Sequence, residues 1–153
     1  MTPAIRILRE AGVDFTPYQF EYERHPGAEG AAIAIGTPLH GVIKTLVMES
    51  DANAALLVLM HGDLEVSTKA LARELGVKSV APTTPELAHR LTGYRVGGIS
   101  PFGTKTKLPV YAQKTISELD QVQINAGKRG FLVGMATADL LALLEPTLME
   151  IVA

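Results

Sequence analysis

The chain predicts an α+β domain built on a mixed, largely antiparallel sheet, and three observations carry that class. Four segments open on a capping residue and close on glycine or proline, which marks them as short helices. Two nearly continuous apolar runs, Val42–Met48 and Ala54–Met60, flank the turn-forming Glu49-Ser50-Asp51 and read as a hairpin in the middle of a sheet. Helix and strand signals mix without the strict alternation of a doubly wound parallel fold. At 153 residues, 47% hydrophobic and 20% charged, the chain has the size of one domain, 1–153, and enough apolar residues to build a core without staples.

The elements follow in order. Thr2 caps a helix whose first position is Pro3; Ile5, Leu8 and Ala11 share roughly one face, and Gly12 stops it. Tyr18-Gln19-Phe20-Glu21-Tyr22 alternates aromatic and polar residues, the pattern of a half-buried strand. An Ala-rich run over Glu29–Ile35, closed by Gly36, predicts a second helix. After the hairpin, Ser67 caps a helix bearing Leu71 and Leu75 and ending at Gly76. Thr84-Pro85 repeats the cap-plus-proline device ahead of Leu87 and Leu91, and Gly93 ends it. Thr137 is expected to cap a Leu-rich helix that runs through Leu144 and is closed by Pro146. Shorter strands are expected at Lys78–Ala81, Pro109–Ala112, Val122–Ile124 and Phe131–Gly134. No repeat, low-complexity tract or dividing linker interrupts the chain.

Composition narrows the chemistry. There is no cysteine, which excludes a disulfide framework, a thiolate metal site and a cysteine nucleophile. The longest apolar stretch, Ala52–Met60, is far too short to span a bilayer, and Met1-Thr2-Pro3 followed by charges has no signal-peptide character, so a cytoplasmic domain is expected. The net charge of −2 disfavours a nucleic-acid partner, but its distribution is uneven. From Tyr94 to Gly130 six basic residues (Arg95, Lys105, Lys107, Lys114, Lys128, Arg129) face only Glu118 and Asp120, a balance of +4 that leaves the rest at −6. Such a split marks either a polyanion-binding surface or scattered solubilising lysines.

Three features could carry chemistry. Lys44 shares a strand face with Val42, Leu46 and Met48, so its ammonium sits at a pocket mouth, snorkels to the rim, or guards an edge. At a mouth it could hold a phosphate or a developing oxyanion. The loop Gly93–Gly103 has four glycines in eleven residues, fit either for close backbone approach to a ligand or for a tight structural turn. Ser100 within it is not a nucleophile elbow: the glycine spacing is wrong, and Pro101 has no N–H for an oxyanion hole. Asn125-Ala126-Gly127-Lys128-Arg129-Gly130 lacks the upstream glycine and the Ser/Thr of a nucleotide-triphosphate loop, leaving a basic turn that could grip a phosphodiester or simply be solvated. His25, His40, His61 and His89 stand apart with no ligand spacing, so neither a metal nor another cofactor is expected.

Taken together, Ile43-Lys44-Thr45-Leu46-Val47, Thr92–Gly103 with its Gly97-Gly98-Ile99-Ser100-Pro101 core, and Ala126-Gly127-Lys128-Arg129-Gly130 resemble the YbaK/EbsC family of aminoacyl-tRNA deacylases. That family is related to the editing domain inserted in bacterial prolyl-tRNA synthetase. Met1-Thr2-Pro3-Ala4 fits the branch that acts on Cys-tRNA(Pro). The resemblance spans essentially the whole chain and implies a barrel-like sheet flanked by helices, the YbaK/prolyl-tRNA synthetase-associated fold. It implies a free-standing trans-editing enzyme that cleaves the aminoacyl ester of mischarged tRNA, Cys-tRNA(Pro) or also Cys-tRNA(Cys). The alternatives are a deacylase for another misacylated tRNA such as Ala-tRNA(Pro), or a non-catalytic module binding tRNA or a synthetase. Its partners would be the aminoacylated acceptor end of tRNA and, transiently, prolyl-tRNA synthetase.

By motif position, the resemblance makes Lys44 the essential catalytic lysine. Thr45 stands beside it, Gly97, Gly98 and Pro101 shape the amino-acid pocket, Asn125 and Gly127 line a second loop, and Phe20 is an aromatic wall. The cations Lys128 and Arg129 would meet the tRNA. Asn125 stands where many relatives have Ser, and Leu132 where an acidic residue occurs.

Overall fold

The computed structural model describes residues 1–153. Five helices and eight strands follow in the order α1 (Pro3–Glu10), β1 (Phe15–Gln19), α2 (Gly27–Ile35), β2 (Val42–Ser50), β3 (Ala55–His61), α3 (Thr68–Leu75), β4 (Val80–Pro82), α4 (Pro85–Thr92), β5 (Val110–Gln113), β6 (Gln121–Lys128), β7 (Phe131–Ala136), α5 (Thr137–Leu144) and β8 (Thr147–Met149). Short 3-10 turns at Leu39–Gly41 and Lys114–Glu118 join them. No helix is long and apolar enough to cross a membrane.

The helices begin where side chains satisfy their first N–H groups. The hydroxyls of Thr2, Ser67 and Thr84 accept from Ile5, Ala70 and Leu87 at 3.2, 3.1 and 3.2 Å. The expected cap at Thr137 is corrected: Ala136 is the capping position, and the buried Thr137 hydroxyl has no hydrogen-bond partner. Its backbone N–H instead donates to Asp120, tying α5 to the start of β6.

The sheet runs β1-β7-β6-β2-β3-β5-β8, with β4 also paired to β2. Pairs β1–β7, β2–β3, β2–β4 and β6–β7 are antiparallel; β2–β6, β3–β5 and β5–β8 are parallel. The mixed α+β class and the central hairpin are as the sequence predicts. β1 begins three residues earlier than expected and ends at Gln19: Phe20 still donates to Gly130 O at 2.9 Å, but the chain then turns, His25 N–H bonding to Tyr22 O. Aromatic alternation therefore continues past the strand that it marks. On this sheet edge Pro17, opposite Val133, costs no ladder bond.

β3 explains its own apolar run. Leu57 and Leu59 pack in the main core with Leu8, Ile124, Val133 and Leu140, while Leu56, Val58 and Met60 pack on the other face with Met48, Leu71 and Ile151. A strand buried on both faces needs no polar alternation. A third cluster, Ala31, Ala32, Val42 and Leu132, seats α2 beside the start of β2.

Candidate functional site

The site begins with a gap in the sheet. One edge of β2 pairs with β6 only through Val42 and Ile43, and with β4 only from Met48 to Ser50. Lys44 to Val47 have no ladder partner on that edge, although β2 lies in the middle of the sheet. Val47 O is met by the Thr83 N–H at 3.0 Å. By the two-residue alternation of strand peptides, Thr45 turns its N–H and C=O toward the same edge.

A pocket of about 240 Å3 opens over this gap, just under the roughly 300–1,000 Å3 of common small-ligand sites. Its walls are the start of α2, the β2 gap, the glycine loop and the β6–β7 hairpin. Phe20, Lys44, Thr45, Gly97 and Asn125 all line it, so five expected site residues converge from four separate segments. Leu132, anticipated as a departure, supplies an apolar wall. A second hollow of about 200 Å3 lies beyond the shared residues Thr45, Leu46, Val96 and Ile99, against Pro82 and Pro85.

Gly98, Pro101 and Gly127 do not line the pocket; they shape the wall from behind. A Cβ on Gly98 would lie 2.7 Å from the Arg129 N and Lys128 C, so the glycine loop packs backbone to backbone on the β6–β7 turn. A Cβ on Gly127, at φ +96°, would meet the Tyr94 ring at 2.6 Å. Tyr94 is buried, its hydroxyl donates to Phe102 O at 2.6 Å, and burial pushes its pKa up to about 12. Pro101 is buried in the loop's tight bend. The buried Ser100 hydroxyl accepts from the Phe102 N–H at 3.1 Å, the geometry of a turn and not of a nucleophile.

The basic turn sits at the rim. Arg129 donates from Nε to Val96 O at 2.9 Å and lies over the Tyr22 ring at 5.2 Å. It thereby binds the glycine loop to the segment after β1, while its guanidinium and Lys128 stay exposed. Lys114, from the same basic window, lies elsewhere, 3.7 Å from Glu150.

Lys44 is held on a fixed support. Its stem is mostly buried, and Nζ donates to Leu64 O at 2.5 Å and Glu65 Oε1 at 3.2 Å. The Thr45 hydroxyl is buried with no partner in the chain. Several pocket residues carried no sequence signal: Tyr22, His25, and Gly27 and Ala28 at the uncapped start of α2. The Pro26-Gly27 pair ahead of an Ala-rich run is the one cue that could have placed a helix start here.

The expectation that the four histidines stand apart is corrected for two of them. His40 and His61 stack at 3.7 Å and 6°, and Asp63 adjoins them. Ile43 pairs with His61 in the β2–β3 ladder, which brings together residues far apart in sequence. His61 Nδ1–H donates to His40 O at 2.8 Å, which leaves Nε2 to accept from the Thr115 hydroxyl at 2.7 Å. Burial holds His61 below its ordinary pKa, so the ring is neutral. Asp63 is also lowered: burial alone would raise it, but hydrogen bonds from His40 and from its own backbone outweigh that. One ligand atom from each of His40, His61 and Asp63 lies within 4.8 Å of the others, and three of the four ring nitrogens already bond within the chain, so the cluster fastens a loop.

Residues 24–143 match the family described as the aminoacyl-tRNA editing domain. The candidate Cys-tRNA(Pro)/Cys-tRNA(Cys) deacylase EbsC of Enterococcus faecalis is 30% identical over 98% of this chain and 92% of its own. The multifunctional Ser/Thr-tRNA deacylase ProXp-y of Escherichia coli is 28% identical over 95% of this chain and 89% of its own. The crystal structure of a candidate trans-editing enzyme for prolyl-tRNA synthetase shares the fold with a TM-score of 0.86 at 24% identity, covering 100% of this chain and 99% of that one.

Proposed function

The chain belongs to the aminoacyl-tRNA editing domain family, and on that premise we propose that it is a free-standing cytoplasmic deacylase that removes cysteine from Cys-tRNA(Pro). One observation carries the reading: a small, mostly apolar pocket opens where a central strand lacks a ladder partner on one edge, with a single cation, Lys44, at its side. An aminoacyl ester is already activated, so its cleavage needs donors for the carbonyl oxygen and a well-placed nucleophile more than a full triad.

In this reading the amino acid enters the pocket between Phe20, Asn125 and Leu132, and the terminal ribose and base lie toward the second hollow. Lys44 holds the terminal phosphate or the ester region. Free N–H groups of the first turn of α2, with the Gly97 and Thr45 backbones, face the oxygen that becomes negative; each such donor is worth about 10²–10³ in rate. Water adds to the carbonyl carbon, the ribose oxygen leaves with a proton, and free amino acid and tRNA result. The substrate thiol is the competing nucleophile: it would close a cyclic thioester as the ribose oxygen takes its proton. The mostly apolar lining supports a thiol side chain over a hydroxyl, and the 30% identical EbsC carries the cysteine assignment in its name. Lys128 and Arg129 meet acceptor-stem phosphates, and prolyl-tRNA synthetase is a transient partner that supplies the mischarged tRNA.

Incubating the purified protein with labelled Cys-, Ala-, Ser- and Thr-tRNA(Pro) tests this. Cys-tRNA(Pro) is expected to be deacylated fastest. Faster loss of serine or threonine would move the substrate to the hydroxyl amino acids, and loss of none would leave a binding module. Recovery of cysteine thioester products would identify the thiol as nucleophile.

A further inference from the structure

Two of the three ammonium donors of Lys44 are already bonded, and both acceptors belong to the turn that follows β3. Nζ donates to Leu64 O at 2.5 Å and to Glu65 Oε1 at 3.2 Å, and it has no other acceptor in the chain. Leu64 and Glu65 do not line the pocket, whereas Lys44 does. The two bonds therefore fix the rotation of the ammonium and leave one N–H without an acceptor in the chain.

The turn that supplies these acceptors is pinned from three directions. Gly62 crosses directly over the start of β2, where a Cβ would stand 2.7 Å from Leu39 O and 2.8 Å from Val42 O; glycine is what allows the chain to return past Lys44. Asp63 accepts from His40 Nδ1 at 2.9 Å, and His40 is stacked on the buried, doubly bonded His61. On the far side Ala153 N–H donates to Glu65 O at 2.9 Å, Ser67 N–H donates to Ile151 O at 2.7 Å, and Val66 bridges to Val152.

We propose that Glu65 is a positioning residue for the deacylation reaction, holding the Lys44 ammonium, together with the Leu64 carbonyl, in the rotation that points its remaining N–H at the substrate. This rests on the deacylase reading and adds a residue to it. Glu65 is 82% exposed while the Lys44 side chain is 19% exposed, so the pair contributes little to stability. Its consequence lies in orientation, where small displacements of a catalytic group change rates strongly.

The test uses the full chain with Glu65→Ala and Glu65→Gln. On whichever misacylated tRNA(Pro) the wild-type protein cleaves fastest, Glu65→Ala should lower single-turnover rate about tenfold, with KM and melting temperature nearly unchanged. Glu65→Gln keeps an acceptor oxygen and should retain at least half the rate. Independently of activity, the two Lys44 Hε protons should give separate NMR signals in the wild type and merge in Glu65→Ala. Merged signals already in the wild type, or an unchanged rate in Glu65→Ala, would overturn the proposal. A faster rate or lower KM in Glu65→Ala would also overturn it, making the carboxylate a competitor of the substrate. If the wild-type protein cleaves no aminoacyl-tRNA, the deacylase reading fails on its own, and the NMR comparison still decides whether Glu65 fixes Lys44.

Discussion

Two structures flank the Lys44 gap, and they are built by opposite means. The wall formed by the glycine loop and the β6–β7 turn depends on missing side chains: Gly97, Gly98 and Gly127 let backbone meet backbone, Tyr22 and Tyr94. The support behind Lys44 depends on polar side chains present in matched pairs: His40 with Asp63, and His61 with Thr115. The wall should fail when volume is added, and the support when a partner is removed.

The largest stability effect is expected from added volume. Gly98→Ala places a Cβ 2.7 Å from the Arg129 backbone N, where no flexible side chain can yield, and should cost about 3 kcal/mol, the upper range for overpacking. Denaturant melts measure it; a loss below about 1 kcal/mol would show that the two loops slide apart freely.

Removing a partner should cost less. Thr115→Val leaves buried His61 Nε2 without its donor, for about 1–2 kcal/mol within the range for an orphaned buried group. The same ring sets an acid dependence. Its folded pKa lies below its ordinary 6.5, so the unfolded chain binds the proton first. The stabilisation is complete above about pH 6.5 and declines as pH falls through that value toward the lower folded one. Melting temperatures from pH 7.5 down to 5 should fall in the wild type and fall less in His61→Gln. Parallel curves would assign the slope to other groups.

The smallest effect belongs to the rim. Lys128→Ala with Arg129→Ala should raise KM for tRNA about three- to tenfold and flatten the salt dependence of binding, with turnover less affected. Arg129 also ties Val96 to Tyr22, so Arg129→Ala alone should lower turnover more than Lys128→Ala alone. Equal effects would make both residues simple phosphate contacts.

Legibility followed the same divide. Helices α1, α3 and α4 could be read closely because their caps and stops are local chemistry, and the central hairpin because β3 is buried on both faces. The end of β1 was misplaced because Phe20 and Tyr22 continue the alternation into the pocket wall. The three-residue β8, paired only to β5, has too few residues to show a period. Five site residues converge as expected, yet Gly98, Pro101 and Gly127 lie behind the wall, since a glycine pattern signals close approach without saying whether ligand or protein approaches. The His40–His61–Asp63 cluster and Glu65 gave no signal, because their partners meet only through the β2–β3 register and the C-terminal bridge.

In the proposed deacylation, ester cleavage depends on the Lys44 cation at the gap in β2. Single-turnover deacylation of Cys-tRNA(Pro) by wild-type protein and by folded Lys44→Ala measures it most directly. A fall of about 100-fold or more, with the melting temperature nearly unchanged, is the predicted result. Turnover by Lys44→Ala within about threefold of wild type would contradict it and return Lys44 to a strand lysine that only packs against its neighbours.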